Sequence, residues 1–302
     1  METTNDIFEY HEKWLNPKTK RYSGHVYTLN GTPLKGITSV LSVIAKPALI
    51  QWAADEAVGY MGWMNPKKFT EKECEDHLKK SWSGLTTMPM NVYLSMLEAA
   101  RLAHTKKKDT GADLGTVVHK MVEIYVNGKL KGTLIKPTVL NALIELKEDK
   151  KDVVLNQQEQ ADCLEMFTHF FNWSESEQVE YLASEKKMYS KKHWIAGTCD
   201  LILKWRGKKY IGDVKTMDTL WDRTPFIQTN GGYRIMLEEN GETGFDGALI
   251  IKIAKSAKVR ESANTRYPIA PFETFESLDY ETDKKGFLAA LALQEVLDTY
   301  KK

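Results

Sequence analysis

The hexapeptide Ile211-Gly212-Asp213-Val214-Lys215-Thr216 constrains this chain more than any other stretch. It sets an acid and a base one residue apart among apolar neighbours. In a β-strand side chains alternate between faces, so Asp213 and Lys215 point together. Upstream, Ala196 to Leu203 reads as a second strand carrying Asp200, and Lys204 to Lys209 as the hairpin connection between the two. Antiparallel pairing then brings Asp200 beside Asp213. Two carboxylates and an ammonium at one sheet end make an oxygen-ligand site for Mg²⁺ or Mn²⁺, with a cation left to face a phosphate. A plainer reading is an exposed strand edge with a surface ion pair worth about 0–1 kcal/mol. Against it, Ile211, Val214 and Leu201-Ile202-Leu203 bury at least one strand face, and charges near a core need a metal or partners.

Around this pair, 302 residues with 42% hydrophobic content suffice for one large core or two modest ones. The formal net charge of +1 gives no bulk attraction to nucleic acid, so such a case rests on local basic patches. Lys106-Lys107-Lys108, Lys186 to Lys192, Lys204 to Lys209 and Lys252 to Arg260 are four of them. Each alone reads as a solvated face. Cys74, Cys163 and Cys199 have no C-x-x-C spacing, which disfavours a disulfide framework, a zinc knuckle and an iron–sulfur cluster. The first residues lack the regions of a secretion signal and no apolar run nears the ~20 residues of a membrane span, so a reducing cytoplasm is expected.

Asn30-Gly31 between β-prone runs predicts a hairpin over Tyr22 to Val43. Pro47 opens a predicted helix with Trp52 and Val58 on its buried face, with Pro66 at its end or in the following loop. Residues 70 to 90 read as irregular. Asn91 to His104 reads as an amphipathic helix ending at the lysine run, and Thr110 as the N-cap of another reaching Tyr125, before Asn127-Gly128. Further helices are predicted over Pro137 to Leu146, Gln157 to Trp173, Pro225 to Glu239 and Lys284 to Tyr300. The last places Phe287, Leu288, Leu291, Leu293 and Val296 in the core. Gln178 to Ser184 begins the β-rich block, and strands are predicted over Ala248 to Ile253 and Arg266 to Phe275. The pattern is α/β, a central mixed sheet flanked by helices, in one domain spanning 1–302. Residues 1–109 form a hairpin and a mainly helical elaboration, and 110–302 the core.

On the helix after Thr110, Thr116, His119 and Glu123 share one face. A lone histidine there reads as a hydrogen-bonded core residue. Its place in an ordered set changes that: His119, then Glu185, Asp200 after Gly197-Thr198, Asp213-Val214-Lys215, and a helix bearing Gln228 and Tyr233. This order resembles the PD-(D/E)xK nuclease superfamily, and within it the RecB-like branch that includes the mitochondrial genome maintenance exonuclease and many phage exonucleases. The resemblance covers about Thr110 to Glu239, with softer likeness in Tyr27 to Leu41. It implies a restriction-endonuclease-like core and a metal-dependent DNA exonuclease of replication, recombination or repair. His119, Asp200, Asp213 and the carbonyl of Val214 resemble the metal ligands, and Lys215 the catalytic lysine. Glu185 matches an acidic position that contributes to the site in some members, and a surface glutamate is an equal account of it. Gln228 and Tyr233 resemble the Q-x-x-x-Y helix, but one residue further apart.

The implied cofactor is Mg²⁺, or Mn²⁺, which the imidazole of His119 favours. Lys215 either activates the attacking water or stabilises the charged transition state. Thr116, Thr216, Gln228 and Tyr233 are candidate substrate contacts, and Trp194, Tyr189 and Trp221 candidate stacking surfaces for unpaired bases. The expected partner is DNA at its ends, single- or double-stranded, with single-strand-annealing or replication proteins beside it. The expected compartment is the cytoplasm, the host cell's if the chain is viral. A structure-specific endonuclease and an inactive nucleic-acid-binding protein on the same fold are the alternatives. In a regular helix residues five apart do not share a face, so Gln228 and Tyr233 act together only through a π-bulge eased by Gly231-Gly232 or a helix that starts after Gln228. Otherwise Thr229 takes the glutamine's place.

Overall fold

The computed structural model describes residues 6–17, 20, 22–44, 47–64, 69–85, 88–220, 222–255 and 269–300. The chain opens with three antiparallel strands, β1 (Phe8–Leu15), β2 (Tyr22–Leu29) and β3 (Thr32–Gly36). Asn30 and Gly31 both take positive φ, at 50° and 74°, the primed turn that matches the twist of a two-residue hairpin. A short helix, α1 (Ile37–Val40), and a single 3₁₀ turn follow. Three helices come next: α2 (Pro47–Tyr60), α3 (Glu71–Leu85) and α4 (Met90–Leu130). Then come α5 (Val139–Glu148) and α6 (Gln157–Ser176), each begun by a reciprocal capping box.

The second half supplies β4 (Glu180–Ser190), β5 (Ile195–Trp205) and β6 (Lys208–Thr216). A composite helix follows, α7 (Thr224–Phe226), a π-helical segment Ile227–Tyr233, and α8 (Arg234–Glu239). The chain ends with β7 (Gly247–Ile253), β8 (Phe272–Ser277) and α9 (Tyr280–Thr299). The strands make one open mixed sheet of eight, ordered β1-β2-β3-β5-β6-β7-β8, with β4 also paired to β5. β3/β5 and β6/β7 are parallel and the other pairs antiparallel. The fold is thus α/β, a central mixed sheet flanked by helices.

Strand alternation feeds two cores. Leu201, Leu203, Val214, Leu249 and Ile251 pack with Val117, Met121, Tyr125, Phe167 and Phe170 of α4 and α6. Ile202 and Ile211 pack on the other side with Ile37, Tyr233, Met236, Phe287 and Leu291. Tyr125 fixes α4 against α6: its ring meets Phe167, Phe170 and Phe171 edge-on and its hydroxyl bonds Ser174 at 2.9 Å. Removing a ring such as Phe170 would cost about 3–5 kcal/mol. Among the described residues no helix is long and apolar enough to cross a membrane.

Several expectations change. Residues 71–85 are helical because Thr70 and Glu73 cap each other: Thr70 N–H donates to Glu73 Oε2 at 2.8 Å and Glu73 N–H to Thr70 Oγ1 at 3.3 Å. The two helices expected on either side of the lysine run are one 41-residue helix, so Thr110 is an interior position and the 109/110 boundary falls inside α4. Lysine is a good helix former, and Gly111 keeps a helical backbone. Asn127-Gly128 does not end it either; Gly132, at φ 73°, sits just beyond its end. Gly128 serves close approach instead, since a Cβ there would lie 2.9 Å from the Thr133 carbonyl. Val58, Leu293 and Val296, expected inside, are 44%, 49% and 54% exposed. The last strand is Phe272–Ser277, and Arg266, where it was expected to start, lies outside the described residues, as does Pro66.

Candidate metal centre

The site follows from the register. β4 covers one edge of β5 along its length. The other edge is shared: β3 pairs with Ile195 and Ala196, and β6 with Leu201 to Trp205. Gly197 to Asp200 lie between the two, where the sheet forks. Asp200 meets part of the hydrogen-bonding demand there, its Oδ2 accepting from Val214 N–H at 2.8 Å. The expected pairing of Asp200 with Asp213 is the next step of the β5–β6 ladder, which ends at Leu201 and Gly212.

Across β5, Glu185 faces Asp200 with φ at 48°, in the left-handed region. Such a backbone costs a non-glycine residue about 1–3 kcal/mol and tends to occur at functional sites. The third group comes from α4. With Val117, Val118, Met121 and Tyr125 fully buried, Thr116, His119 and Glu123 occupy the neighbouring face and line the cleft. His119 Nδ1 lies 3.5 Å from Asp200 Oδ2. One ligand atom each from His119, Glu185 and Asp200 falls within 4.8 Å of the others. These three line a cleft of about 430 Å³.

Asp213 stands apart from that group of three. Its carboxylate is 1% exposed and is taken by Lys215 Nζ, hydrogen-bonded to Oδ1 at 2.8 Å and 2.6 Å from Oδ2. The second contact lacks hydrogen-bond alignment, so Oδ2 is a buried acceptor without an aligned donor. The shared face of Asp213 and Lys215 is as the alternation requires.

Burial raises the Asp213 pKa to about 6, with Lys215 opposing and Asp200 adding. Burial and the neighbouring Asp200 push Glu185 up to about 8. Asp200 is raised by burial against the pull of Lys215 and the Val214 N–H. Burial, then the Lys215 charge, lowers His119 to about 4, leaving a neutral imidazole at pH 7. Lys215 is pulled down by burial but pushed up further by Asp213 and Asp200, so it is a cation here. Two carboxyl groups, a neutral imidazole and an under-satisfied buried carboxylate oxygen beside them match the donor set of a hard divalent cation, whose charge would displace the Glu185 proton. The Val214 backbone hydrogen-bonds to His119 as well as to Asp200, which places it at the same centre.

Gln228 and Tyr233 do meet. Along the π-helical segment the extra residue is absorbed, and Gln228 Nε2 donates to Tyr233 Oη at 2.7 Å. The buried Thr229 hydroxyl has no partner among the described residues and does not take the glutamine's place beside Tyr233. The Tyr233 ring reaches the fork: a Cβ on Gly197 would lie 2.9 Å from its Cε1. Burial and the charges of Asp213 and Asp200 hold its phenol well above the ordinary range. A buried network fixes the segment to α9: Asn230 Nδ2 donates to Asp283 Oδ2 at 3.0 Å, Ser277 Oγ to the same oxygen at 2.5 Å, and Arg223 Nη2 to Oδ1 at 2.9 Å.

Thr116 lines the cleft but donates its hydroxyl to Ala112 O at 2.9 Å, and Thr216 lines it from the end of β6. Tyr189 donates to Asp6 at 3.1 Å and its ring lies 4.7 Å from that of Phe8. The Trp194 indole donates to Pro33 O at 3.0 Å. Neither ring lines the cleft, and Trp221 lies outside the described residues. The sequence reading did not assign Lys120, Lys151 or Lys255 to the site, though all three line it. Lys255 belongs to a basic run visible in the sequence, but no spacing rule ties that run to His119. No protein-family model matches this chain, and no curated protein matches its sequence.

Proposed function

We propose that this chain is a divalent-metal-dependent deoxyribonuclease of the PD-(D/E)xK type, acting as an exonuclease on DNA ends in replication, recombination or repair. The observation that carries the reading is the convergence of His119, Glu185 and Asp200 beside the buried Asp213–Lys215 pair at the fork of the sheet. His119, Asp200 and Asp213 would hold Mg²⁺ or Mn²⁺ with the Val214 carbonyl, and Glu185 is placed to join them. The bound cation would supply Lewis-acid charge against the negative charge that develops on a phosphodiester under attack.

The protein's own groups have separate duties. Lys215, kept cationic by two carboxylates, acts as an electrostatic partner of the scissile phosphate rather than as a base. Gln228, held through Tyr233, presents its remaining amide valences to substrate or to the attacking water. Work in a cytoplasm, the host cell's for a viral chain, and beside annealing or replication proteins accords with an activity on DNA ends.

The test uses end-labelled linear duplex, single-stranded oligonucleotide and covalently closed circular duplex, each with Mg²⁺, Mn²⁺ or EDTA. Linear substrates should be degraded from their ends in metal and be stable in EDTA, while the closed circle persists. Rapid nicking of the circle supports the endonuclease instead. Binding without cleavage under every metal supports a DNA-binding protein that lacks catalysis.

A further inference from the structure

The cleft extends beyond the carboxylates. From His119 and Asp200 it runs along α4 to Gly111, Ala112 and Gly115, and opposite these stand Thr216 and Lys255. β6 and β7 are parallel, with Thr216 paired to Ile253, so Lys255 leaves its strand beside the end of β6. Gly111 and Gly115 are four apart and share a helix face. A Cβ on Gly111 would lie 2.9 Å from Lys255 Nζ, and one on Gly115 2.7 Å from Thr216 Oγ1. Both polar atoms thus lie against bare helix backbone.

Neither has another partner among the described residues. Among the described residues Lys255 forms no salt bridge; its backbone N–H donates to Asp218 Oδ1 at 3.0 Å, but its ammonium has no acceptor, and the Thr216 hydroxyl has none. Lys252, three residues earlier, shows a structural lysine in this fold: 1% exposed, with Nζ bonded to Ala270 O at 2.9 Å and Glu273 Oε2 at 2.5 Å. Lys255 is half-buried without such partners, and burial, opposed by the charge of Asp218, lowers its pKa. An unpaired ammonium drawn partly out of water is unfavourable, and an oxyanion in the cleft would compensate it. The charges that line the cleft favour a polyanion, with carboxylates to hold cations and Lys255 and Lys151 on the same lining.

Building on the nuclease reading, we propose that Lys255 and Thr216 form a subsite for a backbone phosphate next to the scissile one, with the bare face at Gly111 and Gly115 letting the ammonium and the hydroxyl lie against α4 at the cleft. The ammonium acts as a point charge and the hydroxyl as a second donor. A contact of this kind sets the register of the strand without reading its bases.

The test is equilibrium binding of a fluorescein-labelled octathymidylate, with Ca²⁺ in place of Mg²⁺. Wild type is compared with Lys255→Gln and Lys255→Arg, each shown to melt like wild type. The strand is also made with one neutral methylphosphonate linkage, moved a position at a time. Lys255→Gln should weaken binding about tenfold and flatten the salt slope by about 0.7, while Lys255→Arg retains most affinity. One methylphosphonate position should cost wild type a similar factor and cost Lys255→Gln nothing further. Equal affinity of Lys255→Gln and wild type, or an unchanged methylphosphonate profile in the variant, would overturn the subsite and leave the nuclease reading standing. Failure of wild type to bind this strand either alone or paired in a duplex would sink both.

Discussion

Asp213 is a buried carboxylate whose lysine partner sits two positions along the same strand, so its remaining oxygen is available to a cation. Asp213→Asn keeps the shape and removes the charge. It should abolish cleavage while leaving DNA affinity within about threefold, because no phosphate contact is lost. Normal turnover by the folded variant would rule out this centre. Proton linkage gives a second expectation. Glu185 binds its proton up to about pH 8 in the folded chain and only to about its ordinary 4.5 when unfolded, so folding is weakened as pH rises through that window. Lowered His119 works oppositely, but only below its ordinary 6.5. Between pH 6.5 and 8 the metal-free Tm should therefore fall. Mn²⁺ at one fixed concentration, a hundred times its Kd at pH 6.5, should raise Tm by roughly 5 °C at pH 6.5 and by more at pH 8. A metal effect that is absent, or equal at both values, would contradict the assignment. The Asp213–Lys215 pairing was legible because strand alternation is a local rule. The left-handed Glu185 was not, since a glutamate carries no sequence mark of positive φ.

Elements were legible where their signals were short-range. The Asn30-Gly31 turn and the hairpin that joins β5 to β6 follow from residue type, although the observed turn is Arg206-Gly207, both at positive φ. α3 was not legible because the turn-prone Trp82-Ser83-Gly84 and Pro89 interrupt the periodicity and only the capping pair at its start marks a helix, and α4 was split because a lysine run and a glycine resemble an ending. The π-helical segment was anticipated from one extra residue between Gln228 and Tyr233, but its cause is tertiary. A Cβ on Gly232 would lie 2.3 Å from Ile37 Cδ1 and 2.9 Å from Phe287 Cε2, and one on Gly231 would lie 2.5 Å from the Asp283 carbonyl. Helix propensity alone favours alanine over glycine by about 1 kcal/mol. Here overpacking should win, so Gly232→Ala is expected to lower stability by about 1–3 kcal/mol in urea unfolding. A neutral or stabilising result would mean that glycine is present for flexibility and not for close approach.

At the scale of the whole molecule, the fork depends on segments far apart in sequence. β3, which frames one side of it, meets β5 through Lys35 and Gly36, about 160 positions before Ile195 and Ala196. Contacts of such separation form late, since the intervening loop must be closed first. During synthesis at about 5–20 residues per second, the first hairpin waits about 8–32 s before its partner strand exists. Ribosome-bound chains halted before residue 195 should therefore be cut by protease within residues 6–44, and protection should appear once 195–205 have emerged. Early protection would show that the hairpin has found another partner. The carboxylates of β5 and β6 belong to a local hairpin and can assemble as soon as it emerges, whereas the strand that frames the other side of the fork is about 160 positions older. In this protein the frame is made early and hung late.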